Sequence, residues 1–247
     1  MRPLYIAGQE GASLTADGPS LVYKRPGRSA LRFPLSRVSR VVVHGHAGLD
    51  EAAFRACAES GIAVGLLDRH GRPVGFVVPW QPRCLRPSEL LEEFLMRRDW
   101  ASRFEDWRRS EQRRAILKAL PAARNDPALR HPERARKALE ESLRDRRGLE
   151  LLRLWKPMLA VVVHSKLSEA GLDPALLAGR RPGFDLAAAF CELLGWSHYA
   201  HARDCCVAPP SWFEVVSAYE RIRERDEQRA AALGERLLGW VGGRRWE

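Results

Sequence analysis

The densest group of potential metal ligands in the sequence is formed by His198, His201 and Asp204, with Cys205 and Cys206 directly after them. A spacing of three residues places side chains on one face of a helix, and imidazole, thiolate and carboxylate groups bind divalent metal ions. Adjacent cysteines rarely bind one ion together with good geometry, and the chain contains no Cys-x-x-Cys spacing. We therefore keep the two histidines and Asp204 as an alternative metal site and expect no structural zinc.

A second candidate is the acid Asp185, which precedes the apolar run from Leu186 to Phe190. A carboxylate at such a position either accepts a hydrogen bond from the first turn of a helix or contributes to a cation site. A lone acid before an apolar helix favours the N-cap role. We expect Asp185 to be at most a relic of a catalytic site.

Paired arginines are the candidate residues for binding DNA. The chain holds 41 Lys and Arg against 31 Asp and Glu, a formal net charge of +10, and most of the basic residues are arginines, whose planar guanidinium suits phosphate oxygens. The candidates are Arg97, Arg98, Arg108, Arg109, Arg113, Arg114, Arg144, Arg146 and Arg147. The alternative is a set of solvated helix faces, because residues 81–150 carry 18 basic but also 13 acidic residues.

The sequence shows no apolar run long enough for a signal peptide or a membrane-spanning helix. We expect a soluble, cytoplasmic protein with no membrane partner.

The elements that must position these residues differ between the two ends of the chain. Residues 1–78 alternate short β-rich runs with turn residues, and one helix, from Asp50 to Ser60, interrupts them. Residues 79–87 include three prolines and are predicted to be a linker. Apolar residues recur at helical spacing within residues 88–247. The predicted fold class is α+β, with a small β-sheet domain followed by an all-α domain.

Within the second domain, proline and glycine mark the expected ends of helices. Beyond the first long helical stretch after Ser88, we predict helices over Pro132–Trp155, Pro157–Ala170, Asp185–Leu194 and Ser211 to about Trp240.

Four segments together resemble the CRISPR adaptation integrase/endonuclease family, Cas1. The opening LYIAGQEGASLTADGPSLVY and the stretch PLSRVSRVVVHGHAGLDEAAFRACAESGIAVGLLDRHGRPVGFVVP resemble the start of that family. Downstream, KPMLAVVVHSKLSEAGLDP is similar to the family helix that ends in Gly-Leu-Asp-Pro, and GFDLAAAF is similar to its Asp-Leu segment. Each motif alone is weak, and their order carries the resemblance.

The resemblance implies a β domain that forms a homodimer and a helical domain that contacts double-stranded DNA. It also implies a role in spacer acquisition with a Cas2-like protein or another adaptation protein as partner. Members of the family insert fragments into a CRISPR array with a Glu, a His and an acid around Mg²⁺ or Mn²⁺, a hard cation that polarises phosphodiester oxygens.

All three of these ligands are missing where the resemblance places them. No Glu-Gly-x-Ala-Ala-x-Tyr pattern occurs between Ser88 and Pro157, and no histidine lies between Pro174 and Asp185. The second acid of the Asp-Leu segment is replaced by Ala188. We therefore expect a DNA-binding, structural or regulatory member of the family that has lost its nuclease/integrase chemistry and needs no cofactor.

Two alternatives remain. One is an active metal-dependent endonuclease/integrase, using Mg²⁺ or Mn²⁺, whose ligands have moved to Asp185, Glu192, His198, His201 or Asp204. The other is a protein-interaction scaffold that does not bind DNA.

Overall fold

The computed structural model of the chain describes residues 2–79, 86–143, 146–177, 183–205 and 211–242. The chain divides into two units, residues 1–83 and residues 84–247, here called the β unit and the helical unit. Residues 80–85, which include most of the predicted linker, lie outside the described residues. The predicted α+β class is confirmed, since strands dominate the first unit and helices the second.

The described part of the β unit contains eight strands and one α-helix. The strands are β1 (Arg2–Gly8), β2 (Ser13–Asp17), β3 (Ser20–Arg25), β4 (Arg28–Pro34), β5 (Val38–Gly45), β6 (Gly48–Leu49), β7 (Ala63–Leu67) and β8 (Pro73–Val77), and the helix is α1 (Glu51–Glu59).

The strands form two four-stranded sheets rather than one continuous meander. In the first sheet the order is β1-β5-β7-β8, with β1, β5 and β7 parallel and β8 antiparallel to β7. In the second the order is β4-β3-β2-β6, where only β2, β3 and β4 follow one another as hairpins. Parallel neighbours need crossover connections, which the local turn residues could not reveal.

The core of the β unit is built from β-branched and aliphatic side chains of both sheets. Ile6 on β1 and Val41 and Val43 on β5 are buried together with Leu14 on β2. Helix α1, which the sequence predicted, covers this core through Ala53 and Cys57. Its N-cap Asp50 accepts a hydrogen bond from Ala53 N at 2.7 Å, and Gly61, with φ +72°, follows its end.

Gly8 and Gly45 are paired in the parallel register of β1 and β5. A Cβ atom built on Gly8 would lie 2.6 Å from the carbonyl carbon of His46, and one built on Gly45 would lie 2.9 Å from the carbonyl oxygen of Gly8. The two strand ends approach this closely only because neither residue has a side chain.

The described residues of the helical unit form eight α-helices. These are α2 (Arg86–Leu95), α3 (Trp100–Ala119), α4 (Pro132–Ser142), α5 (Arg146–Glu169), α6 (Pro174–Leu177), α7 (Leu186–Gly195), α8 (His198–Asp204) and α9 (Trp212–Gly242).

One predicted helix boundary is wrong. Pro157 was expected to separate two helices, but α5 continues through it and the break falls at Leu143, whose backbone is extended with φ −77° and ψ 91°. Proline removes one hydrogen bond from a helix. Trp155, Met158 and Leu159 are buried on both sides of Pro157, and this packing offsets the lost hydrogen bond.

Aromatic residues fill the core of the helical unit. Trp155 is fully buried, and its indole Nε1 donates to the carbonyl of Val215 at 3.2 Å. Trp107 is buried as well, with its ring stacked on Phe104 at a centroid separation of 5.7 Å. Both tryptophans therefore serve the packing of the core.

The described cysteines are free thiols. Burial raises the pKa of Cys57 to about 11 and that of Cys191 to about 12, so both are protonated at neutral pH. Within the described part of the chain, no helix combines the length and the apolar character that crossing a bilayer requires.

Candidate functional site

The start of α7 is the position at which the resembled family would place acidic metal ligands. The Oδ1 atom of Asp185 accepts a hydrogen bond from Ala188 N at 2.8 Å, so this carboxylate is the N-cap of α7. Ala188 itself lies on the exposed side of the helix. One candidate acid is therefore engaged by the backbone, and the second position offers only a methyl group.

One turn further along α7, the carboxylate of Glu192 is surrounded by side chains of α3 and α4. Arg108 Nη1 donates to its Oε2 at 2.9 Å, and Gln112 Nε2 donates to its Oε1 at 3.0 Å. The Arg136 guanidinium lies 3.7 Å from Oε1 and also packs over the ring of Trp196, 5.8 Å from its centroid. Two guanidinium groups and an amide therefore occupy the space around the carboxylate where a cation would have to bind.

Arg108 extends this network to a second acid. It donates to Glu105 from Nε at 2.8 Å and from Nη2 at 3.0 Å, and Arg109 Nε donates to the same carboxylate at 2.8 Å. The hydrogen bond from Arg108 holds the pKa of Glu105 below its usual value, and Glu105 in turn raises the pKa of Arg108. Both groups stay charged across the physiological range.

The predicted cluster on α8 is divided among three environments. His198 is 2 % exposed, and its Nε2 lies 2.8 Å from Oδ2 of the buried Asp226 on α9. His201 is half-buried, and burial together with Arg225 and other charged neighbours lowers its pKa. Asp204 is exposed and lies 3.5 Å from Arg203. The structure therefore does not bring the three predicted ligands together.

No group of three or more His, Cys, Asp or Glu side chains within the described ranges could hold a metal ion. The undescribed segment 178–182, between the Gly-Leu-Asp-Pro turn and α7, reads AGRRP and adds no acid or histidine. Hard cations such as Mg²⁺ prefer carboxylate oxygens, and the carboxylates at this position already bind guanidinium or backbone N–H groups. The donor set does not fit the family's metal.

The predicted DNA-binding arginines do not share one face. Arg109 and Arg113, four residues apart on α3, point to the same side and are exposed, whereas Arg114 is about 100° further around the helix. Arg97 pairs with Asp99 at 3.1 Å, and Arg98 is exposed beside it. Arg98 and Arg113 have no ion-pair partner among the residues the structure describes.

Part of the predicted set cannot be placed. Arg144 and the side chains of Arg146 and Arg147 lie outside the described residues.

A basic cavity between α3, α7, α8 and α9 escaped the sequence analysis. It encloses about 720 Å³, and its cations are Arg114 and Lys118 of α3 and Arg229 and Arg236 of α9. Arg114 and Lys118 are four residues apart and Arg229 and Arg236 are seven apart, so the two residues of each pair lie on one face of their helix. Nothing in the sequence could show that the two faces meet.

A β-rich unit followed by a helical unit, with the Gly-Leu-Asp-Pro turn and an Asp-capped helix in the latter, places the chain in the α+β class. Residues 4–146, more than half of the chain, match the sequence model of the family described as CRISPR associated protein Cas1. The chain belongs to the Cas1 family, as its motifs indicated.

A curated relative agrees with this assignment to the Cas1 family. CRISPR-associated endonuclease Cas1 2 from Rhodospirillum rubrum is 43% identical over 63 residues, which is 26% of this chain and 18% of the relative. The match thus spans less than a fifth of that curated relative's length.

Solved structures share the fold over the whole chain. A Cas1 protein from Thermotoga maritima superimposes with a TM-score of 0.79 at 13% identity, covering 99% of this chain and 98% of that one. A casposase bound to its integration product gives a TM-score of 0.75 at 11% identity, covering 100% and 92%. The TtCas1–DNA complex gives 0.66 at 15% identity, covering 99% and 93%.

Proposed function

We propose that this chain is a DNA-binding subunit of CRISPR spacer acquisition that has lost the metal-dependent cleavage and strand transfer of its family. Its contribution is structural or regulatory. Family membership supports the pathway, and the donor chemistry at α7 supports the loss of catalysis. The two parts of the proposal rest on different observations and can fail separately.

The observation that carries the loss of catalysis is the state of the acids on α7. Asp185 caps the helix, Ala188 replaces an acid, and Glu192 binds Arg108, Gln112 and Arg136. A two-ligand or three-ligand cation site needs carboxylate oxygens that are free to face the ion and the phosphate. Here the oxygens of Glu192 join α7 to α3 and α4, which stabilises the helical unit instead.

The DNA-binding part rests on exposed arginines, most of which have no acidic partner in the described ranges. Arg98 and Arg113 are exposed without an ion-pair partner in the described ranges, and Arg109 remains largely exposed although it contacts Glu105. Guanidinium groups of this kind neutralise backbone phosphates without reading the sequence of the bases. We expect binding to be tolerant of sequence and sensitive to salt.

The assembly we propose follows two structural neighbours, a TtCas1–DNA complex and a Cas6-RT-Cas1–Cas2 complex. The chain would bind double-stranded DNA together with a Cas2-like protein or another adaptation protein. It would also form a homodimer through the β unit, whose outer strand β4 is largely exposed along Arg28–Pro34. An exposed strand edge can pair with a second chain.

The test of the proposal is a titration of a fluorescent DNA duplex with the purified chain at several salt concentrations. We expect affinity to fall steeply with salt, and the double variant Arg109→Gln/Arg113→Gln to reduce the slope of log K against log[salt] by about 2. Arg221 and Arg225 form a matched exposed pair, also four residues apart, on α9. Their double Gln variant should change the slope less.

Two results would contradict the DNA-binding proposal. One is the absence of measurable duplex binding. The other is tight binding to a partner protein that persists at high salt while DNA affinity is absent, which would favour the scaffold alternative.

A further inference from the structure

The cavity between α3, α7, α8 and α9 has the composition of a ligand site. Its volume of about 720 Å³ lies within the range of small-molecule sites. Its walls combine half-buried alanines with long basic side chains, and the alanines are Ala115, Ala119, Ala200 and Ala232. A ligand that matches both features is an amphipathic anion.

Two of the cations in this cavity are held in place by a buried acid. Glu111 is 6 % exposed, and its carboxylate accepts hydrogen bonds from Arg114 Nη1 at 2.7 Å and from Arg236 Nη2 at 3.1 Å. The acid therefore fixes guanidinium groups from two different helices beside each other. Each keeps several N–H donors for a ligand, and such preorganised arginines suit phosphate oxygens.

The other two cations are not neutralised. Lys118 and Arg229 line the same cavity, and neither forms an ion pair with any acid in the described ranges. Among the described residues of the lining Glu111 is the single acid, so their four positive charges face one negative charge. An anion with two or more charges would balance them.

The cavity also offers a place for a flat apolar group. Ala115, Ala119, Ala200 and Ala232 are only partly buried and supply its apolar surface, whereas Trp196 is 3 % exposed and lies under the guanidinium of Arg136. His201 and Ser197 add neutral polar side chains at the same wall. An aromatic base could pack on this wall while its phosphates reach the arginines.

We propose that this cavity binds a nucleoside phosphate, with the phosphate groups on Arg114, Lys118, Arg229 and Arg236 and the base against the wall formed by Ala115, Ala119, Ala200 and Ala232. The chemistry is the same whether the ligand is a free nucleotide or the terminal nucleotide of a DNA strand. The site is separate from the position of the family's acids, because Leu193 lies eight residues beyond Asp185, about 12 Å along α7.

The test is calorimetric titration of the full chain with ATP, AMP, adenosine and inorganic phosphate. We expect ATP and AMP to bind at least about tenfold more tightly than adenosine or phosphate, because only they use both walls. Lys118→Gln and Arg229→Gln should each weaken ATP binding by about tenfold. Arg221→Gln, at an exposed position on α9 that does not line the cavity, is the control and should leave it unchanged.

Several results would overturn the proposal. They are the absence of ATP binding, equal affinity for ATP and inorganic phosphate, and ATP binding that is unaffected by both cavity variants. Circular dichroism of each variant shows whether the fold is retained. The proposal does not rest on the proposed function, because free nucleotide is titrated without a duplex.

Competition distinguishes the two sources of the ligand. Displacement of a fluorescent ATP analogue by a duplex with a single-stranded 3′ overhang, but not by a dumbbell closed at both ends, would identify a strand end. Displacement by neither DNA would identify a free nucleotide. Equal displacement by the dumbbell would contradict the proposal, because the cavity would then be part of a general phosphate-binding surface.

Discussion

The guanidinium of Arg108 on α3 donates a hydrogen bond of 2.9 Å to the carboxylate of Glu192 on α7. Gln112 and Arg136 bind the same carboxylate, so one acid links three helices. The chemistry of the Cas1 family depends on acids around a hard cation. Glu192 instead binds side chains that connect α7 to two other helices. The consequences of that arrangement can be measured.

Removing the charge of Glu192 should weaken the helical unit slightly. Because the Glu192 side chain is 35% exposed, we expect Glu192→Gln to lower the free energy of unfolding by about 1 kcal/mol or less. Urea denaturation measures the change. Glu169→Gln is the control, since Glu169 is 51% exposed and contacts only local residues, and a larger loss for this control would contradict the structural role of Glu192.

The buried pair of His198 and Asp226 should matter more. Asp226→Ala leaves the imidazole buried without its partner, so we expect a loss of about 3 kcal/mol or more in the free energy of unfolding. The exposed Asp204→Ala is the control, and its effect should be near zero.

A double-mutant cycle with His198→Ala separates the interaction from the side chains themselves. We expect the double variant to lose clearly less than the sum of the two single losses. Additive losses would show that the 2.8 Å contact contributes nothing of its own.

The close approach of Gly8 to the backbone of His46 predicts a local packing defect. A Cβ at Gly8 would be 2.6 Å from the His46 carbonyl, so we expect Gly8→Ala to destabilise the protein by about 1–3 kcal/mol. Gly75 is the matched control in β8, because a Cβ there meets nothing within 4 Å. Thermal unfolding that is equal for both variants would contradict the strand register.

Stability should fall as the pH drops from 7.5 to 5.5. Burial lowers the folded-state pKa of His164 and of His201 below the ordinary value of 6.5. The unfolded chain therefore binds these protons first, and the stability present above pH 6.5 is lost as the pH falls below it. Urea denaturation at both pH values measures the loss, and His164→Asn should reduce it. Higher stability at pH 5.5 would contradict the burial.

The sequence was sufficient where local signals act alone. Asp50 and Asp185 were predicted to begin helices, and each accepts a hydrogen bond from the backbone N–H three residues later. Pro157 led to a wrong helix boundary, because the tertiary packing of Trp155 and Met158 outweighs one lost hydrogen bond. Local rules predict an element well when no distant contact competes with them.

The candidate site could not be predicted from the sequence, because its contacts join residues that are far apart along the chain. Glu192 meets Arg108 across 84 residues, and Glu111 meets Arg236 across 125. No spacing rule connects residues so far apart, and the basic residues of α9 therefore escaped notice. The alanine at position 188, in contrast, could be recognised from the sequence because the Asp-Leu segment around it fixes the position at which the second acid is expected.

The most direct test of the central claim is an integration and cleavage assay with the purified chain in Mg²⁺ and in Mn²⁺. An active Cas1 integrase serves as the positive control. We predict that this chain produces neither nicked nor integrated DNA under conditions in which it binds the duplex. Metal-dependent product that disappears in Asp185→Ala or Glu192→Ala would contradict the account and show that these acids still hold a catalytic metal.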